Sequence, residues 1–248
     1  MKVYVLNMPR QTGRRKAMEQ ALKKNKFPSD HIHIWSKQDE CSTGYEKNSD
    51  LIKAAIADGF PIFQRFMDER NIHKHIPIGV IGHTWSCFRI WWEAEGTALP
   101  FMVLHDDHLP IKPYDYYVQL VETAEKHSKG NWKIISLTGI KAYFFWERKV
   151  DKPVRNKEWT RVGNDGMLVK GLPRICGDTG YILSTAGLDW LRRHFEKRFW
   201  FLETLFDENK DEPDTYTASE QCLESIQNEY PSSIHFKNGK NRYPEKLG

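Results

Sequence analysis

The stretch Pro100-Phe101-Met102-Val103-Leu104-His105-Asp106-Asp107-His108-Leu109-Pro110 constrains the fold more than any other. Phe101 to Leu104 is an apolar run of strand length, and four metal-capable side chains follow it without a break. A short continuous apolar run fits a strand buried on both faces. The switch to His105-Asp106-Asp107-His108 fits a site at that strand's carboxyl end, where open α/β sheets bind their ligands. Two adjacent carboxylates flanked by imidazoles are costly to hold together unless a cation or solvent compensates them. The reading is a divalent-cation and diphosphate site. The plain alternative is a polar strand-to-loop junction with solvated aspartates.

A chain of 248 residues has room for one large α/β domain or two small ones. Its 40% hydrophobic content supports a packed core and excludes wholesale disorder. A formal net charge of +4 suits an anionic ligand such as a nucleotide, but is too small to indicate nucleic acid alone. Cys41, Cys87, Cys176 and Cys222 form no Cys-x-x-Cys pair, which argues against a zinc ribbon and for reduced, buried thiols. The N-terminal apolar run is too short for a signal peptide, and no stretch reaches transmembrane length. The expected location is cytoplasmic.

The remaining pattern alternates strands with helices. Lys2 to Asn7 reads as a first buried strand, followed by a loop holding Pro9, Arg10 and Gly13 and a helix with Ala17, Met18, Ala21 and Leu22 on one face. Arg10, Arg14 and Arg15 cluster just after the strand end, where a helix N-terminus commonly holds phosphate and arginine matches its oxygens. The lysines of that helix read as a solvated face. His31 to Ser36 alternates as a second strand, with His31 and His33 on one side. Residues 37–50 read as a loop, Leu51 to Ala57 as a short helix, and the charged stretch Phe63 to His75 as a mobile insertion. A buried helix is expected from about Gly82, with Ile81, Trp85, Phe88 and Trp92 as its stripe and His83 in its first turn. Pro113 to His127 reads as a helix, Trp132 to Leu137 as a strand, and residues 140–171 as extended segments or hairpins. Tyr181 to Leu183 reads as a strand leading into a helix capped by Ser184 or Thr185, and Ser219 to Glu229 as a last helix with Cys222, Leu223 and Ile226 inward.

Four blocks in order carry a resemblance. They are Val5-Leu6-Asn7-Met8-Pro9-Arg10 with Arg14-Arg15; Gly79-Val80-Ile81-Gly82-His83-Thr84-Trp85-Ser86-Cys87; Leu104-His105-Asp106-Asp107; and Gly177-Asp178-Thr179-Gly180-Tyr181-Ile182-Leu183-Ser184-Thr185-Ala186-Gly187. Together they resemble glycosyltransferase family 25, the family of lipopolysaccharide-biosynthesis and procollagen galactosyltransferases. The second block does not reproduce the family's Cys and Ser-His positions, and His105 stands where the family has an acid.

The resemblance implies a GT-A-type α/β fold: a mixed, mostly parallel central sheet flanked by helices. It implies one glycosyltransferase domain over 1–248, with a nucleotide-sugar and metal half at 1–110, an acceptor half at 111–236 and a tail at 237–248. It also implies a sugar-nucleotide donor, with UDP as the expected nucleotide, and Mn²⁺ or Mg²⁺. Two triplet registers stand open: His105-x-Asp107, and Asp106-x-His108. The expected metal residues are therefore Asp107, Asp106 and His108. The expected donor-binding residues are Asn7, Arg10, Arg14, His83, Asp106 and Thr179.

Hexose transfer with inversion needs a carboxylate base on the acceptor side. Asp178, between two glycines, is the first candidate; capping of the turn before Thr179 is its structural alternative. Asp207, Asp214 and Glu220 are the fallbacks. The expected acceptor is a saccharide or glycoconjugate, with a hydroxylated nucleic-acid base second. A metal-dependent phosphoesterase and a non-catalytic sugar-nucleotide-binding module are the rival classes.

Overall fold

A computed structural model describes residues 1–35, 44–68, 77–94, 100–137, 160–163, 166–171, 180–197 and 214–226. In chain order the elements are β1 (Lys2–Leu6), α1 (Thr12–Lys24), β2 (Ile32–Trp35), α2 (Asn48–Ala57), α3 (Arg65–Asp68), α4 (Ile78–Glu93), β3 (Phe101–His105) and β4 (His108–Pro110). There follow α5 (Tyr114–Ser128), β5 (Ile134–Ser136), β6 (Arg161–Val162), β7 (Leu168–Lys170), β8 (Gly180–Leu183), α6 (Thr185–Lys197), β9 (Thr215–Ala218) and β10 (Leu223–Ser225).

Eight strands form a mixed sheet in the order β2-β1-β3-β8-β5-β9-β7-β6. β1 is parallel to both β2 and β3, and β5 is parallel to β9. β8 is antiparallel to β3 and to β5, and β7 is antiparallel to β9 and to β6. Six of these eight strands therefore point one way, with β8 and β7 reversed. β4 and β10 form a separate antiparallel pair.

Strand alternation sorts the core into two layers. Tyr4, Leu6, Phe101, Val103, Tyr181 and Leu183 pack against α2, α4 and α6. Val3, Val5, Met102, Leu104, Ile135 and Ile182 pack against α1 and α5. Both faces of the sheet are thus covered, which is why β1 and β3 read as unbroken apolar runs.

Several expectations need correction. α4 begins at Ile78, four residues early, so Gly79 and Gly82 lie inside it and His83 sits in its second turn. Its buried hydroxyls are satisfied within the helix, Thr84 Oγ to the Val80 carbonyl at 2.9 Å and Ser86 Oγ to that of Gly82 at 3.0 Å. Trp92, expected inward, is 42% exposed, with Arg192 stacked 4.5 Å from its ring centroid. Phe63 does not open a mobile insertion. It is fully buried beside Phe60 and Phe88, in a 3-10 turn leading into α3, while 69–76 lie outside the described residues. α2 starts at Asn48, inside the stretch expected as loop. His31 lies in a 3-10 turn, ahead of β2. Leu223 to Ser225 is a strand, not part of a helix, because its backbone pairs with β4. The extended reading of 140–171 holds for the β6–β7 hairpin; 138–159 lie outside the described residues.

Candidate functional site

The chain leaves β1, crosses to β2 on one side, and returns to β3 on the other. The carboxyl ends of β1 and β3 therefore flank a topological switch point, the position at which an open α/β sheet has a crevice for ligand. Leu6 is in register with His105, and Asp106 N–H donates to the Leu6 carbonyl at 3.0 Å. On the other side Asn7 N–H donates to the Trp35 carbonyl at 3.2 Å. Parallel pairing thus delivers Asn7 and Asp106 to one edge.

Asn7 is fully buried, and its Nδ2 donates to Asp106 Oδ2 at 2.8 Å. That bond fixes the amide orientation and leaves Oδ1 buried without a hydrogen-bond partner. α1 starts directly above. Its N-cap, Gln11, makes no side-chain cap, and its first turn holds no acid. Those first-turn N–H groups and the positive helix end favour an anion. A Cβ built at Gly13 would meet nothing within 4 Å, so the approach is open. Arg14 Nη1 reaches Asp106 Oδ1 at 3.5 Å, with side-chain exposures of 26% and 10%.

The two aspartates differ in surroundings. Burial pushes the Asp106 carboxyl above its ordinary value, and the Asn7 hydrogen bond and the Arg14 charge offset this only in part. Burial also pushes Asp107 upward. There the hydrogen bond from His108, with the charges of His108, His105 and Arg14, outweighs it and holds the carboxyl below its ordinary value. His108 Nδ1 lies 2.7 Å from Asp107 Oδ1, so the ring carries its hydrogen on Nδ1 and donates it to the carboxylate. Asp107 is 40% exposed at its side chain and can meet a ligand while ionised.

The expected residues sort as follows. Asn7, Arg14, Asp106, Asp107 and His108 come together. His83 joins them indirectly: its ring meets that of His105 edge-on at 4.7 Å, and its Nε2 lies 3.6 Å from Cys87 Sγ. Arg10 does not join; it is exposed and its Nη2 rests on Met8 Sδ at 3.1 Å. Asp178, Thr179 and Asp207 lie outside the described residues. Asp214 is corrected as a base candidate. It precedes β9, its carbonyl accepting from Lys133 N–H at 2.8 Å beside the start of β5, so it lies on the opposite edge of the sheet. Glu220 is exposed and ion-paired with Lys112.

One contributor was not visible in sequence. Ile226 N–H donates to the Asp107 carbonyl at 2.8 Å, so β10 fastens the acidic turn from the far end of the chain. The Cys222, Leu223 and Ile226 spacing looks helical. In the fold Gly180 makes room for Leu223, a long-range fit that no local pattern reveals.

Carboxylate oxygens suit a hard cation, and the site offers two adjacent ones, Asp106 at 10% and Asp107 at 40% side-chain exposure. Among the described residues no three His, Cys, Asp or Glu side chains converge on one metal position. Such a site resembles those in which one or two carboxylates hold the ion and substrate phosphates and water complete its shell. Among the described residues, no helix is long and apolar enough to cross a membrane. No protein-family model matches the chain, and no curated protein matches it.

Proposed function

We propose that the chain is a cation-dependent glycosyltransferase of GT-A type, taking a nucleoside diphosphate sugar as donor. The observation that carries this reading is the meeting of Asn7, the uncapped α1 N-terminus with Arg14, and Asp106-Asp107 at the β1/β3 switch point. The resemblance of the four sequence blocks to family 25 supports the same reading, and two of those blocks supply these residues.

Asp107 is the proposed cation ligand, being ionised, half-exposed and oriented by His108. Asp106 is the inner residue, committed to Asn7 and Arg14. The register centred on Asp107 is therefore preferred to Asp106-x-His108. When bound, Mn²⁺ or Mg²⁺ would supply positive charge against the departing diphosphate. Arg14 and the first-turn N–H groups of α1 add to that charge and orient the phosphates. The acceptor oxygen forms a bond to the anomeric carbon as the carbon–phosphate oxygen bond breaks. The bonding pair leaves with the diphosphate, and the hydroxyl proton passes to an acceptor-side carboxylate, for which the sequence offers Asp178. A saccharide or glycoconjugate is the proposed acceptor.

A thermal-shift panel of nucleotide sugars with and without Mn²⁺ tests this. At a hundredfold excess over Kd, a binding donor adds about 2.7 kcal/mol of stability, which for a chain of this size is a shift of several degrees. Asp107→Ala should lose the Mn²⁺-dependent part of the shift. If no nucleotide stabilises the wild type under either condition, the proposal falls.

A further inference from the structure

We propose that β10 and the residue after it form a clasp that positions Asp107 for its cation, making Ile226 and Gly180 positioning residues of a site neither touches through its own side chain. This rests on the donor-site reading above. The acidic turn is held on two sides. Upstream, Asp106 N–H is bonded to the Leu6 carbonyl at 3.0 Å. Downstream, Ile226 N–H holds the Asp107 carbonyl at 2.8 Å, and Ser225, Glu224 and Leu223 pair with His108, Leu109 and Pro110.

Three further contacts fix the clasp itself. The Cys222 carbonyl accepts from Ile111 N–H at 3.0 Å and from Tyr117 Oη–H at 2.8 Å. Lys112 and Glu220 form an ion pair across its base. Leu223 is buried over Gly180, which is in register with Leu104, one residue before His105. A Cβ at Gly180 would meet Leu223 Cδ1 at 2.5 Å and Leu104 Cδ2 at 3.3 Å. The missing side chain at Gly180 is thus the space into which the clasp seats. The Ile226 bond carries the β4–β10 ladder one residue past the Ser225–His108 pair, so the ladder ends on the backbone of the proposed cation ligand. Ligand placement within a fraction of an ångström governs cation affinity, and a backbone held there sets that placement.

The test is direct Mn²⁺ binding in the presence of UDP, followed by water-proton relaxation, alongside thermal melts. Ile226→Pro removes the N–H that holds Asp107. It should weaken Mn²⁺ binding roughly five- to tenfold, the equivalent of one hydrogen bond. Ile226→Ala keeps the N–H and should restore binding to within about twofold of wild type. Should Ile226→Pro fail to fold, Gly180→Ala gives the second route. The atoms it meets are flexible side-chain ends, so the variant should unfold cooperatively yet bind Mn²⁺ several-fold more weakly. Wild-type affinity in either folded variant, or equal loss in Ile226→Ala and Ile226→Pro, would overturn the clasp while leaving the donor site standing. Absence of Mn²⁺·UDP binding by the wild type would overturn both.

Discussion

Asp106 and Asp107 are neighbours in the chain, yet their surroundings drive their carboxyl groups in opposite directions. This has a stability consequence of definite sign. Asp107, whose folded value is lowered, contributes stability that is present above its unfolded value near ~3.9 and is lost as pH falls through the folded value. Asp106, whose folded value is raised, contributes stability that is present below ~3.9 and is lost as pH rises through the folded value. Asp106→Asn should therefore melt higher than wild type at pH 7, a gap that closes as pH falls to about 4, and Asp107→Asn lower, a gap that closes only as pH falls below about 4. Thermal melts across pH would show it; a lower melting point for Asp106→Asn at neutral pH would refute the assignment. The pairing of these carboxylates with an upstream Asn and Arg was legible because α/β connectivity brings successive strand ends together. The split in their roles was not. It depends on Asn7 Nδ2 choosing Asp106 and His108 choosing Asp107, and sequence order does not determine such choices.

At the scale of elements, the block around Gly180 and Gly187 has a packing explanation. Ser184 Oγ accepts from Gly187 N–H at 3.0 Å and donates to the Trp132 carbonyl, capping α6 and tying it to the residues that lead into β5. Ser184→Ala should cost about 1–2 kcal/mol, read as a fall of roughly 2–4 °C per kcal/mol. Gly187→Ala should do far more. A Cβ there would lie 1.8 Å from the Lys133 carbonyl oxygen, a backbone atom with no freedom to move aside. A loss above about 3 kcal/mol, or no folded protein, is expected. An unchanged melting point would mean that α6 is not seated there. A cap at Ser184 or Thr185 was foreseen, and the structure selects Ser184; α1, α5 and the central strands were foreseen from their apolar patterns. β10 failed because three paired residues carry too little pattern to outweigh a helical spacing of Cys222, Leu223 and Ile226. The start of α4 failed because glycines at 79 and 82 suggest a loop, whereas burial of Gly82 within the helix overrides its weak propensity.

On the scale of the whole molecule, the switch point predicts where a ligand leaves its mark. Hydrogen exchange with and without UDP and Mn²⁺ should show added protection at the α1 N-terminus and at the turn after β3. The start of β9, around Asp214, should be unchanged, because it lies on the other edge of the sheet. Protection centred on that other edge instead would remove the physical basis for the donor site.

The reversed strand β8 sits between β3 and β5, and no other described strand joins the two parallel groups. It also comes late, at residues 180–183, after both of its neighbours have been made. During synthesis the N-terminal strands therefore leave the ribosome with the inner edges of β3 and β5 still open, the first of them apolar from Phe101 to Leu104. Unpaired edges of that kind invite pairing between nascent chains. Fragments ending before Gly180 should aggregate, and production of the protein should depend on chaperone supply more than its final stability would suggest.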